Sequence, residues 1–360
     1  MATIDTEEIP EEFDNFSEDE LYDKHEIYDI TTFGTSADVI TIYNRLKKGR
    51  YYIPEFQRDY VWNTTQASRL IESIIMGLPI PAIFLAKDDT QEDRYYIIDG
   101  QQRLLSIQKY YDGEFALKDT IDSIDGKKYN QLNDKQRNRL DEYTLQLIMI
   151  RQEIPDDNND SIYKIFERIN TSGTKLSSQE MRMASYHGEF NKLLDDLTLD
   201  NRWKKLIVTT NRRKRHEELI LRFLALYFDL NNYVEPIKHF LNVYMSKNRN
   251  FQLNSFEEIQ NIFNQVFDIV DAHLAKEHIC LLNSNRINTQ LLESVLVGIA
   301  HNLDNKNIVK ENFLVNKINQ LKRDITNNDF EEKAYWESRR SKAENVKGRC
   351  EYLIRLFSEK

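Results

Sequence analysis

Cysteine, proline and glycine are scarce in this 360-residue chain, which has two, six and ten of them. Cys280 and Cys350 lie far apart without C-x-x-C spacing. That rules out a disulfide framework and argues against a cysteine-based metal site. The expected compartment is a reducing cytoplasm. No apolar run approaches the ~18 residues of a membrane span, so none is expected. The start, MATIDTEEIPEEF, has neither the basic region nor the apolar core of a signal peptide. Net positive charge is lacking too: 49 Lys and Arg face 59 Asp and Glu, a balance of −10. This excludes a protein coated with nucleic acid over its whole surface but leaves room for a local basic groove.

Several catalytic signatures are also absent. No G-x-x-x-x-G-K-[ST] loop occurs, so the chain has no P-loop. No G-x-S-x-G occurs, so there is no nucleophile elbow. The segment KEHICLLNSN at 276–285 offers His278, Asn283 and Asn285. It lacks the following Pro and the second His of an HNH-type metal nuclease centre.

What is present suits a globular protein with a large core. The chain is 40% hydrophobic and holds 19 Tyr and 18 Phe. Residues 1–30 form an acidic arm, with twelve carboxylates against Lys24 alone. It reads as a solvated segment, or as a docking segment that covers a basic groove. Residues 31–155 read as mixed α/β. YYIP, IPAIFLAK, RYYIIDG and YTLQLIMIRQ are predicted strands. Asn63 is placed to cap a helix over TTQASRLIESIIM, stopped by Gly77, and QQRLLSIQKYY is a helix closed by Gly113. After the polar stretch EIPDDNND the chain turns helical, and residues 156–360 form the second predicted domain. SIYKIFERIN, SSQEMRMASYHG, EELILRFLALYFDL and the amphipathic segments beyond them carry apolar residues at three and four spacing. The fold class is therefore α+β, a mixed domain followed by an all-α one.

The junction IIDGQQR at 97–103 stands out. A strand ending in Asp-Gly that opens straight into a helix gathers unpaired backbone N–H groups at one point. The helix dipole adds partial positive charge there, and phosphate is the usual occupant. Gly100 permits a tight turn and close approach of a ligand. Arg103 supplies a planar, permanently charged fork. Gln101 and Gln102 add neutral donors and acceptors. Asp99 beside an anion calls for a role of its own: holding Mg²⁺, orienting Arg103 or capping the helix. An ordinary Asp-Gly turn is the competing reading. Gln57 and Arg58, between Phe56 and Tyr60, make a second cationic arm or a surface arginine lying on aromatic rings.

IPEFQRDYVW, IIDGQQRLLSI and IFERINTSGTKLSSQEMRMASYHGEF, in this order, resemble the GmrSD restriction endonuclease N-terminal family, also called domain of unknown function 262. The resemblance covers roughly 35–230 and implies a ParB/sulfiredoxin-like core. It further implies that Asp99, Gly100, Gln101, Gln102 and Arg103 bind a nucleoside triphosphate, of unspecified base, and in some relatives hydrolyse it within a restriction or antiviral defence system. The family often has two hydroxyl residues after the Arg-Leu of the motif. Here Leu105-Ser106 follows Leu104, so one hydroxyl is lost. Asn170, Ser172 and Thr174 are candidates for a lid over the nucleotide, with Arg168 and Arg182 as further charge. A hinge between two helices explains the same residues.

RWKK at 202–205 and NRRKRH at 211–216 form the strongest basic cluster. Arg212, Arg213, Lys214 and Arg215 are candidates for DNA contact, or for a solvated loop. Three functions fit these features: an NTP-hydrolysing regulatory subunit with a separate effector or nuclease partner, a nucleotide-switched nucleic-acid-binding or antitoxin-like protein, and a self-contained nuclease.

Overall fold

The computed structural model describes residues 30–53, 60–87, 93–152, 163–165, 168, 176–211, 213–280, 286–327, 329–336 and 342–359. These fall into two compact units that divide between Leu176 and Ser177. The chain is mixed α/β in its N-terminal part and mostly helical in its C-terminal part.

The first unit is built on a five-stranded sheet, in the order β1 (Ile30–Asp38), β5 (Thr144–Gln152), β3 (Ile83–Lys87), β4 (Tyr95–Asp99) and β2 (Tyr51–Tyr52). β1 and β5 pair antiparallel, β5 and β3 parallel, β3 and β4 antiparallel, and β4 and β2 parallel. β5 alternates, with Leu145, Leu147 and Met149 turned into the core. β4 is covered on both faces, since neighbours Ile97 and Ile98 are both buried.

Three helices cover this sheet. α1 (Val39–Lys47) gives Val39 and Ile42 to the core. α2 (Thr64–Met76) starts at Asn63, whose side chain accepts from the N–H of Gln66 while the Gln66 side chain accepts from the N–H of Asn63. It stops at Gly77, with φ of 77°. α3 (Gln101–Tyr111) buries Leu104, Ile107 and Tyr110. The short α4 (Asp134–Asp141) adds Leu140. β1 and α1 were not foreseen; the Thr-rich ITTFGTSAD has its face periodicity blurred by small polar residues.

The second unit is an assembly of helices. α5 (Ser178–Ser185) opens with the reciprocal Ser177–Glu180 cap that the sequence predicts. α6 (Glu189–Thr198) and α7 (Asn201–Leu206) follow. α8 (Arg215–Asp229) is buried continuously from His216 to Leu226. Then come α9 (Ile237–Lys247) and α10 (Phe256–His273), the latter capped by Ser255. α11 (Thr289–His301) is buried from Thr289 to Ala300. α12 (Phe313–Thr326) and α13 (Ala343–Ser358) complete the order. The last predicted helical segment, FEEKAYWESRRSKAENVKGRCEYLIRLF, is two elements: a 3₁₀ turn at Glu331–Tyr335 and α13. SIYKIFERIN is helical at 163–165 and 168, its only described residues.

α8 and α11 are buried all round, so their polar residues must satisfy one another. Arg222 on α8 donates through Nε to Glu293 on α11 at 2.7 Å. Arg349 on α13 reaches the other Glu293 oxygen at 3.4 Å. All three side chains are 1–2% exposed. One carboxylate thus stands between two buried guanidinium groups. Burial lowers the Arg349 pKa, against the pull of Glu293. Glu293→Ala should cost about 3–5 kcal/mol, because it takes the Glu293 counter-charge from two buried cations and leaves Arg222 with Glu218 at 3.8 Å. Urea unfolding checks this, and an unchanged midpoint would show that the cluster adds nothing to stability.

Candidate functional site

The IIDGQQR junction lies where β4 runs into α3. The register of β3 against β4 shifts there, with Leu85 opposite Ile97 and Phe84 opposite Asp99. Ile98 is the extra residue, a bulge one position before Asp99. Such bulges turn the strand and re-aim the next side chain.

Gly100 makes the turn with φ of 99°. A Cβ at this position would lie 2.3 Å from Ile83 Cδ1 and 3.3 Å from Arg103 Nη2. Backbone conformation and space therefore both require glycine. Gly100 is also the N-cap of α3 and brings no side chain to cap the helix start.

Arg103 sits one turn in and points back. Its Nη2 donates to Asp99 Oδ2 at 2.8 Å. Its Nη1 donates to the carbonyls of Pro81 and, at 3.3 Å, Ala82. The guanidinium thus ties the α3 start to the end of β4 and to the segment entering β3. The Arg103 side chain is 13% exposed and that of Asp99 41%. Burial lowers the Arg103 pKa, opposed by Asp99. Asp99 thus pairs with Arg103, one of the three roles that the sequence left open for it. The two carbonyls were not foreseen, since nothing in PAI marks backbone as an arginine acceptor.

The Gln102 amide oxygen accepts from the N–H of Val61 at 2.9 Å and of Trp62 at 3.2 Å. It pins the segment that leads into α2. Gln101 is buried beside it. Ser106 Oγ donates to the Gln102 carbonyl at 2.7 Å and bonds the Tyr60 hydroxyl at 2.9 Å. The hydroxyl that this sequence keeps after Leu105 is therefore turned along the helix and onto Tyr60.

Gln57, Arg58, Asn170, Ser172, Thr174 and Arg212 lie outside the described residues. Arg168 is exposed. Arg182 is buried within the helical unit, its Nε on Asn242 Oδ1 at 2.9 Å and its Nη1 on Gln179 Oε1 at 3.0 Å.

Four cations of the basic cluster, Arg202, Lys205, Lys214 and Arg215, are paired with carboxylates. Lys214 pairs with Asp195 at 2.8 Å and Glu217 at 3.2 Å. Burial works against its charge, but these carboxylates carry its pKa above the ordinary value. Arg215 pairs with Glu218 at 2.7 Å and donates to Thr289 at 2.9 Å. Arg202 pairs with Asp200 and Asp268, and Lys205 with Asp271. His216 accepts at Nδ1 from the Trp203 indole N–H at 3.2 Å and meets the Thr209 hydroxyl at Nε2. Arg213 holds a left-handed backbone with φ of 54°.

Among the described residues no group of three or more His, Cys, Asp or Glu could cage a metal, and no helix is long and apolar enough to cross a membrane.

The class this defines is a mixed α/β domain whose bulged inner strand ends in a glycine-capped helix braced by an Asp–Arg pair. Residues 39–187 match the family model of the GmrSD restriction endonuclease, N-terminal domain, and this stretch is a domain of that family. The match links the chain to restriction systems. Comparison with curated proteins and with solved structures gave no match.

Gly100→Ala should lower stability by about 1–3 kcal/mol, the usual cost of a side chain in left-handed backbone. Thermal unfolding of the purified variant measures it. A midpoint equal to wild type would show that the turn tolerates a Cβ.

Proposed function

We propose that this chain is a nucleotide-binding, NTP-hydrolysing regulatory subunit of a restriction or defence system, acting in the cytoplasm with a separate effector or nuclease. The observation that carries the reading is the left-handed Gly100 cap, which leaves the α3 N-terminus bare beside the Asp99–Arg103 pair. A helix start of this kind favours phosphate, and the match to a restriction-endonuclease domain supplies the setting. A ParB/sulfiredoxin-like core belongs to the same proposal.

In this reading the phosphates lie on the N–H groups of residues 101–103. Arg103 supplies cationic charge, with Gln57 and Arg58 as the second arm. Asn170 and Thr174 are further nucleotide contacts in this proposal. Gln101 or Gln102 places the attacking water or the γ-phosphate, although the Gln102 amide oxygen already accepts from Val61 and Trp62. Asp99 holds the Arg103 fork through Oδ2, and no partner engages Oδ1 among the described residues. One carboxylate oxygen suits Mg²⁺ that arrives with the nucleotide, since this ion is commonly held by one or two carboxylates and substrate phosphates. When bound, Mg²⁺ neutralises phosphate charge. DNA contact through Arg212, Arg213, Lys214 and Arg215 is the least supported part, given the carboxylates on Lys214 and Arg215.

A second reading, a nucleotide switch without turnover, is favoured by one observation. The Arg103 guanidinium is spent on Asp99 and two backbone carbonyls, so it shapes the turn more than it reaches out.

Binding and turnover of ATP, GTP, CTP and UTP with Mg²⁺ test both readings on wild type, Arg103→Lys and Asp99→Asn, each checked for folding. The expected result is binding by wild type and about a hundredfold loss of turnover in each variant, the scale of removing one positioned charge or donor. Binding without turnover by wild type selects the switch. No binding of any nucleotide at millimolar concentration would leave the junction a structural turn.

A further inference from the structure

The paired cluster at 202–216 turns attention to cations that are not paired. One groove in the helical unit, about 510 Å³ in volume, is lined by α12 and the turn before it. Three cations line it, Lys310, Lys317 and Arg323, and no carboxylate does. In a chain of net charge −10 that is a local reversal of sign. Lys310 and Arg323 have no ionic partner among the described residues. Lys317 pairs with Glu359 at the rim.

The spacing along α12 explains the groove. Leu314, Ile318 and Leu321 are buried against the unit. Phe313, Lys317, Gln320 and Arg323 recur at four, three and three residues, so they form a stripe along the flank of that buried face. At 1.5 Å per residue the stripe runs about 15 Å. Phe313 is half-buried and lines the groove, with Lys317 Nζ 5.9 Å from its ring centroid. Asn307, Asn316, Asn319 and Gln320 add amides that both donate and accept.

Cations along the backbone path and an aromatic ring for stacking are the two parts of a single-strand nucleic-acid site, and the amides add neutral donors and acceptors beside them. A duplex would use only the cations, because its base faces are hidden in the stack. An acidic peptide would meet the cations and, through its backbone, the amides, so it is the competing occupant that the experiment must separate. We propose that the α12 groove binds single-stranded nucleic acid, with Phe313 stacking a base while Lys310 and Arg323 hold flanking phosphates. The proposal is independent of nucleotide chemistry at residues 99–103.

Fluorescence anisotropy with labelled dT12, rU12 and a 12-base-pair DNA duplex over a salt series tests it on the full chain. Wild type should bind a single strand at least tenfold more tightly than the duplex, and dT12 against rU12 decides between DNA and RNA. Lys310→Ala/Arg323→Ala should weaken binding about tenfold or more. It should also flatten the salt slope by about 1.4, at roughly 0.7 for each phosphate no longer neutralised. Phe313→Ala should weaken binding fivefold or more with the slope unchanged. Glu359→Gln frees Lys317 and should tighten binding. Duplex preference, or affinity untouched by these variants, would overturn the proposal. So would loss of binding in Arg103→Lys alone, which would place the strand on the first unit. Binding of a peptide of residues 1–29 with no binding of either oligonucleotide would assign the groove to protein and overturn it as well.

Discussion

The first unit depends on one turn. At Gly100 the chain must leave an inner strand and begin a helix within a single residue, against Ile83 at a distance no side chain tolerates. Everything nearby follows from that constraint. The bulge before Asp99 sets the direction of exit. Arg103 reaches back over the turn because the glycine leaves it room, and binds Asp99 together with the carbonyls that precede β3. Gln102 fixes the entrance to α2 from the same helical turn. Five residues thus join two strands and two helices, while the helix start itself carries no capping side chain.

The helical unit is held differently. Its two innermost helices are polar enough to need internal counter-charges, and Glu293 supplies one to both Arg222 and Arg349. Such a cluster is a weak source of net stability, but losing one member is costly. The surface follows the same pairing at lower stakes, with carboxylates matching Arg202, Lys205, Lys214 and Arg215. The exception is the face of α12, where cations and amides line a groove without an acid.

Much of the secondary structure was legible from capping chemistry. Asn63, Ser177 with Glu180, and the glycines at 77 and 113 marked helix ends correctly, because these signals act within four residues. β1 and the break before α13 were not legible. β1 is held by pairing with β5, more than a hundred residues away, rather than by its own apolar pattern. In the candidate site the Asp99–Arg103 pair was visible as an i, i+4 spacing, whereas the Pro81 and Ala82 carbonyls were not, since a carbonyl has no residue identity to read.

The sequence by itself determined the local grammar: two fold regimes, most helix limits, the glycine that must turn, and an overall acidic chain with one dense basic run. Tertiary structure alone decided which charges remain available. In the basic cluster Arg202, Lys205, Lys214 and Arg215 meet Asp195, Glu217, Glu218, Asp268 and Asp271, several of them distant in sequence. Lys310 and Arg323 beside α12 keep their charge available because their neighbours in the groove are amides and a phenylalanine, while Lys317 there is paired with Glu359. A charge is an attribute of a residue, but its availability depends on the neighbours that packing brings within a few ångströms.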